Sequence, residues 1–313
     1  MRNLFYFLVL FPLFAFARNG DVILSSEGQE TLPLLEDVRE AMAKKNIPLK
    51  LCHLKDVKKW DKVAYTVIWN KPHIKNRLLN SIPKKRAILF QWESPVESPK
   101  LYSRKYTRHF RKVYTWNDDL VDNYRFFKFY FPALKPMEEG IPSFEKKKLL
   151  TMVARYKKAS KKEGALYPER IAAAECFDGK NFDLYGAGWD KSKYRSHREG
   201  TPDLKNYRFA VCYEDVGGVK GYITEKIFNT FAAGCVPIYL GATNITDYIP
   251  KECFIDRRDF ATDEDLYAFI ESMDKATYEK YLASIRSFLG SEKAQLFSKK
   301  YFEIVFLEAI RFP

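Results

Sequence analysis

The chain has 313 residues, about twice a typical single domain, so two domains are the expectation. Hydrophobic residues make up 46% and aromatics 16%, which excludes a disordered or collagen-like chain. Lys and Arg total 53 against 40 Asp and Glu, and this formal +13 points to a polyanionic partner: nucleic acid, an acidic membrane or a phosphorylated small molecule.

The chain opens with a basic Met1-Arg2-Asn3, an apolar run from Leu4 to Ala17, and a small-x-small Ala15-Phe16-Ala17. Fourteen helical residues reach roughly 21 Å, short of a ~30 Å hydrocarbon core. The flanks fit a cleaved secretory signal, with an uncleaved membrane anchor as the alternative. Either an exported or membrane-associated protein or a secretory-lumen (Golgi-type) enzyme follows, depending on the host. Five cysteines (Cys52, Cys176, Cys212, Cys235, Cys253) show no C-x-x-C or Cys/His spacing, so a structural zinc site is not expected.

Strand-like apolar runs follow at Val63–Trp69, Arg86–Trp92, Val113–Trp116 and Phe126–Phe131, all β-branched and aromatic. Pro132 and Pro136 end this half. A second half begins at Lys146 with a strand over Leu149–Ala154, and the lysine-rich stretch 146–162 reads as a solvated face. The helix Pro168–Phe177, strands Phe182–Tyr185 and Phe209–Tyr213, helix Ile223–Ala233 and strand Val236–Leu240 come next. Repeated βα units imply mostly parallel sheets with helices on both faces. Expected units are a leader (1–18), a first α/β domain (19–145), a second (146–262) and a helical tail (263–313).

The informative segment is Tyr207–Gly241, YRFAVCYEDVGGVKGYITEKIFNTFAAGCVPIYLG. A strand ends at Glu214-Asp215, a glycine-rich loop follows, and a helix opens with Thr224-Glu225-Lys226. A helix start with a first-turn Lys suits phosphate. The plain alternative has Thr224 capping, Glu225 answering the dipole and Lys226 in solvent.

This segment resembles the family 10 glycosyltransferases, the α1,3/α1,4-fucosyltransferases, whose signature runs F-x-x-x-F-E-N-S and then Y-I-T-E-K. Ala233–Gly241 and Phe254–Phe260 continue the likeness, and Trp92-Glu93-Ser94-Pro95 resembles the family's F-E-S-P element. The resemblance implies two Rossmann-like domains in a GT-B arrangement and inverting transfer of L-fucose from GDP-fucose. The implied acceptor is a glycan containing GlcNAc or Glc. It makes Glu93 the catalytic base, and Arg170 and Lys226 the grip on the donor diphosphate. Glu214, Asp215, Tyr222, Thr224 and Glu225 join them around the donor. No cofactor is required, a divalent metal is at most stimulatory, and no nucleic acid is bound. Two departures stand out: Asp215 replaces the signature Asn, and the loop before Tyr222 is one residue longer than in some members. Alternatives are the same fold with another nucleotide sugar, or a secreted basic polyanion-binding protein. Asp263-Glu264-Asp265 mimics a metal-binding D-x-D but precedes a helix, where Thr262 or Asp263 serves as N-cap. Asn244-Ile245-Thr246 is a glycosylation acceptor only in a eukaryotic secretory lumen.

Overall fold

The computed structural model describes residues 21–25, 33–70, 74–158 and 162–311; the leader and His73 lie outside the described residues. Six parallel strands build the first sheet: β1 (Asp21–Ser25), β2 (Leu49–Leu51), β3 (Val63–Trp69), β4 (Ala87–Gln91), β5 (Lys112–Thr115) and β6 (Phe126–Lys128). Their order is β2-β1-β3-β4-β5-β6. Helices α1 (Pro33–Ala43), α2 (Asn76–Ser81) and α3 (Arg104–Thr107) belong to the same half. All seven residues of β3 are buried, as a strand covered on both faces requires.

The second sheet holds β7 (Lys148–Val153), β8 (Phe182–Tyr185), β9 (His197–Arg198), β10 (Tyr207–Tyr213), β11 (Val236–Leu240) and β12 (Ile255–Asp256). Its order β12-β11-β10-β7-β8-β9 is the doubly wound pattern, with the reversal of winding between β7 and β10. Helix α4 (Tyr167–Phe177) follows β7, and α5 (Glu225–Ala232) follows β10. Phe228 and Phe231 of α5 are fully buried, a burial worth about 1.5–3 kcal/mol each.

The C-terminal helices divide between the two cores. Helices α6 (Asp263–Ser272) and α7 (Lys275–Leu289) bury Leu266, Ile270, Leu282 and Ile285 in the second core. Helix α8 (Lys299–Arg311) crosses back, placing Phe302 5.7 Å from Trp69 and 5.8 Å from Phe90 in the first core. In return, Ala165, Tyr167, Val216 and Tyr222 of the second half join that first core. The two halves therefore share apolar burial as well as a linker.

Strands expected at Val63–Trp69, Phe182–Tyr185 and Val236–Leu240 form with those bounds. β6 stops at Lys128, and Phe129 and Phe131 continue into the core beyond it. The alternation does not reveal β1, β2, β9 and β12, which hold five, three, two and two residues. Lys147 departs from the solvated-face reading: it is 5% exposed and its Nζ donates to Gly234 O at 2.5 Å and Tyr278 Oη at 3.1 Å. Its ammonium closes the loop after α5.

Candidate functional site

In doubly wound sheets, ligands lie outside the carboxyl ends of the strands where the winding reverses. Here that point is the β7/β10 junction, and it opens into a cavity of about 500 Å³. The ends of β7 and β10, Arg170 of α4, and Glu225, Lys226 and Asn229 of α5 line it. Lys135 of the linker also lines it, and its Nζ donates to Asn229 Oδ1 at 2.9 Å.

Arg170 sits in the first turn of α4 and is only 6% exposed. Its Nη2 donates to Tyr213 O at 2.7 Å and to Asp215 Oδ1 at 2.6 Å. The guanidinium therefore reaches the end of β10 already paired with a carboxylate. Burial works against ionisation of Asp215, but Lys226, Arg170 and Lys157 outweigh it and hold the carboxyl below its ordinary pKa.

Lys226 and Glu214 form a second pair, 3.1 Å apart. Glu214 has no exposed surface, and its carboxylate accepts from Thr224 N–H at 2.8 Å and from Thr224 Oγ1. Burial raises its pKa, while Lys226 and Thr224 pull it down. Lys226 is desolvated too, yet Glu214, Asp215 and Glu225 outweigh that and keep the ammonium charged. Thr224 has extended backbone (φ −101°, ψ −172°) and caps α5, which accounts for a helix start two residues after Ile223. The capping half of the plain alternative holds; the solvated Lys226 does not.

Glu93 follows β4 in the first domain. Its N–H donates to Asn70 Oδ1 at 2.9 Å, and its carbonyl accepts from Tyr102 Oη at 2.5 Å. Asn70 takes a left-handed φ of +47°, which Asn tolerates better than most side chains. The backbone is thus fixed at both ends, and among the described residues no hydrogen bond engages the Glu93 carboxylate. Burial raises its pKa first, then Asp215 and Glu97, with Lys157 and Lys226 opposing. Charges on the second domain therefore act on Glu93 across the cleft.

Of the expected site residues, Arg170, Glu225 and Lys226 line the cavity, with Glu214, Asp215 and Thr224 behind them in the same hydrogen-bond network. Glu93 is not part of that lining, and neither is Tyr222. Tyr222 is 3% exposed and packs 4.5 Å from Trp116 and 5.8 Å from Phe131, in the first domain's aromatic core. Asp263 pairs with Arg257 at 2.6 Å, and Thr262 and Asp265 form a capping box at the start of α6.

Two interdomain clusters escape sequence reasoning. Asp118 accepts from Lys128 Nζ at 2.6 Å, Asn244 Nδ2 at 2.9 Å and Tyr248 Oη at 2.7 Å. Asn244 Oδ1 in turn accepts from Gly221 N–H at 2.9 Å, so this Asn of the glycosylation triplet is engaged between the domains. Glu97 accepts from Lys157 Nζ at 2.6 Å and from Tyr167 Oη. The partners that join the two domains lie 60 to 130 residues apart in the chain, and no local pattern couples them.

Residues 144–303 match the family model "Glycosyltransferase family 10 (fucosyltransferase) C-term", just over half of the chain. The chain belongs to glycosyltransferase family 10. This family 10 chain is 25% identical over 231 residues to a 4-galactosyl-N-acetylglucosaminide 3-alpha-L-fucosyltransferase 9 of Mus musculus, covering 72% of this chain and 60% of that relative. It thus spans less than two thirds of the length of the curated relatives it matches first. A crystal structure of an alpha1,3-fucosyltransferase with GDP superposes at a TM-score of 0.61 and 13% identity, over 96% of this chain and 93% of that one. The form with GDP-fucose gives 0.58 and 15%, over 94% and 91%. The GT-B arrangement of two Rossmann-like domains is the fold of this family 10 chain.

Proposed function

We propose that the chain is an inverting fucosyltransferase using GDP-fucose and a glycan acceptor bearing GlcNAc or Glc. The observation that supports this most is the convergence of Arg170 and Lys226 on the cavity at the β7/β10 junction, inside the family 10 match. Bidentate guanidinium chemistry and a point-charge ammonium at a helix start suit a diphosphate. Glu225, exposed on the cavity wall, offers a carboxylate to sugar hydroxyls.

In this reading the acceptor hydroxyl attacks C1 of fucose as the C1–O bond to the β-phosphate breaks. The electron pair of that bond leaves with GDP, and Glu93 takes the hydroxyl proton. A carboxylate with a raised pKa and no competing hydrogen bond suits a general base. Arg170 and Lys226 offset charge developing on the leaving phosphate. One carboxylate is sufficient, because GDP leaves as an anion and needs no acid.

The apolar Leu4–Ala17 fits a secretory or membrane-associated enzyme. No helix among the described residues is long and apolar enough to cross a membrane. The test is incubation of the full chain with GDP-fucose and an N-acetyllactosamine acceptor, with NMR of the product. Transfer with inverted fucose stereochemistry is expected. Thermal stabilisation by UDP-sugars but not by GDP-fucose or GDP would overturn the donor assignment.

A further inference from the structure

The chain's surplus of positive charge is concentrated. Residues 50–112 hold 17 Lys and Arg against 4 Asp and Glu, a formal +13 equal to that of the whole chain. The donor cavity accounts for none of it, since Arg170 and Lys226 belong to the second domain and each is paired with a carboxylate.

The fold gathers these charges at one place. All strands of the first sheet are parallel, so the segments entering β3, β4 and β5 meet at its amino edge. Lys59 and Lys62 precede β3, Lys84 and Lys85 precede β4, and Arg108 and Arg111 precede β5. The three segments touch. Arg86 Nη1 donates to Trp60 O at 3.1 Å and Val63 O at 2.7 Å, and Arg111 N–H donates to Ala87 O at 2.9 Å. Burial, Arg108 and Lys84 together hold the His109 imidazole below its ordinary pKa, which places those two segments side by side. All six Lys and Arg side chains are exposed, and none pairs with a carboxylate among the described residues. The acids nearby are few. Asp56 and Asp61 are exposed, Asp122 accepts from the N–H groups of Tyr124, Arg125 and Phe126, and Glu308 of α8 acts on Lys112.

This edge is turned away from the chemistry. Glu93 follows the carboxyl end of β4, whose five residues span roughly 17 Å. Strand β1 enters the sheet at the same amino edge, where Asp21 pairs with Val63 of β3.

We propose that the amino edge of the first sheet is a docking face for an anionic lipid bilayer, holding the cleft outward. Unpaired Lys and Arg side chains converging on one edge match a membrane carrying negative headgroups, where each Lys or Arg near the surface adds to partitioning. The proposal stands independently of the donor assignment.

The test is sedimentation of the full chain with vesicles of phosphatidylcholine alone and with 30% phosphatidylserine. The unaltered chain should partition at least about a hundredfold more strongly onto the anionic vesicles, and added salt should remove that preference. Lys59→Glu/Lys62→Glu/Lys85→Glu should reduce it to the neutral-vesicle level. The matched Lys280→Glu/Arg286→Glu/Lys293→Glu, with the same charge change on exposed α7 and tail positions, should retain it. Circular dichroism and melting of both variants check folding, and the alternative pair Lys84→Gln/Arg108→Gln should weaken the preference in a milder change. Equal binding to both vesicles, or equal loss in the two triple variants, overturns the proposal. So does tighter binding of a single-stranded RNA 20-mer at the same ionic strength, which would assign the face to nucleic acid.

Discussion

Arg170 and Asp215 form a 2.6 Å ion pair whose side chains are 8% and 16% exposed. The position that carries Asn in the family signature thus carries a charge here, and it rests on the cation proposed to meet the donor. Asp215→Asn should keep a hydrogen-bond acceptor for Arg170 while removing the competing anion. Affinity for GDP should rise by roughly tenfold, the scale of one charge–charge contact of about 1.4 kcal/mol in a partly buried site. Calorimetric titration with GDP measures this directly. An Asn variant that binds GDP no more tightly would show that Asp215 only positions Arg170.

The same carboxylate acts on Glu93 across the cleft. As the proposed base, Glu93 must be ionised to accept a proton, and its pKa is raised by burial and then by Asp215. Activity should therefore rise with pH along an acidic limb displaced above the ordinary carboxylate range. Removing the Asp215 charge makes ionisation of Glu93 easier, so its pKa falls. The acidic limb of kcat for Asp215→Asn should move to lower pH, and a limb shifted upward contradicts the coupling. Glu93→Gln should lower kcat by about 10³ while leaving GDP affinity intact.

Lys226 and Glu214 respond differently to removal. Glu214→Ala removes the acceptor of three donor groups, Thr224 N–H, Thr224 Oγ1 and Lys226 Nζ, and leaves the start of α5 without its anchor. Destabilisation of about 3 kcal/mol is expected, read from denaturant midpoints. Lys226→Ala leaves a carboxyl of zero exposure without its cation. Its folded-state pKa, already raised by burial, then rises further above the unfolded value, so the folded chain binds the extra proton. The stability of this variant should fall as pH rises from the unfolded carboxylate pKa through the raised folded one. Melting temperatures between pH 5 and 8 test the sign, and GDP affinity should drop at every pH.

The strand–loop–helix unit from Tyr207 to Gly241 is legible because its parts are contiguous. β10, the Thr224 cap and α5 each follow from neighbouring residues, and the family signature lies within them. Tyr222 shows the limit of that reading. Its place in the signature points toward donor, but Trp116 and Phe131, far off in the chain, draw the ring into the first core. The return of α8 is equally hidden: amphipathic spacing gives the helix, and only Trp69 and Phe90 decide which core receives Phe302. Lys226 illustrates the same point for charge. A first-turn Lys reads as solvated until the buried Glu214 supplies its partner.

The loop between Asp215 and Thr224 separates two kinds of glycine. Gly218 has φ +73°, and a Cβ there would meet nothing within 4 Å. Gly218→Ala should cost only the left-handed backbone, about 1–2 kcal/mol. Gly221 has φ +80°, and its Cβ would lie 2.5 Å from Trp116 O and Lys128 Nζ and 2.8 Å from Asp118 Oδ2. Trp116 O is backbone of the first domain, so the loop must retreat from the Asp118–Asn244–Tyr248 cluster. That retreat breaks the Gly221 N–H bond to Asn244 and shifts the residues leading into Glu225 and Lys226. Gly221→Ala should therefore lose more stability than Gly218→Ala and raise KM for GDP-fucose several-fold, with Gly218→Ala leaving KM near its original value. Melting curves and initial-rate kinetics on the two variants distinguish these effects. Equal KM values for both would mean that the interdomain contact at Gly221 does not position the donor helix.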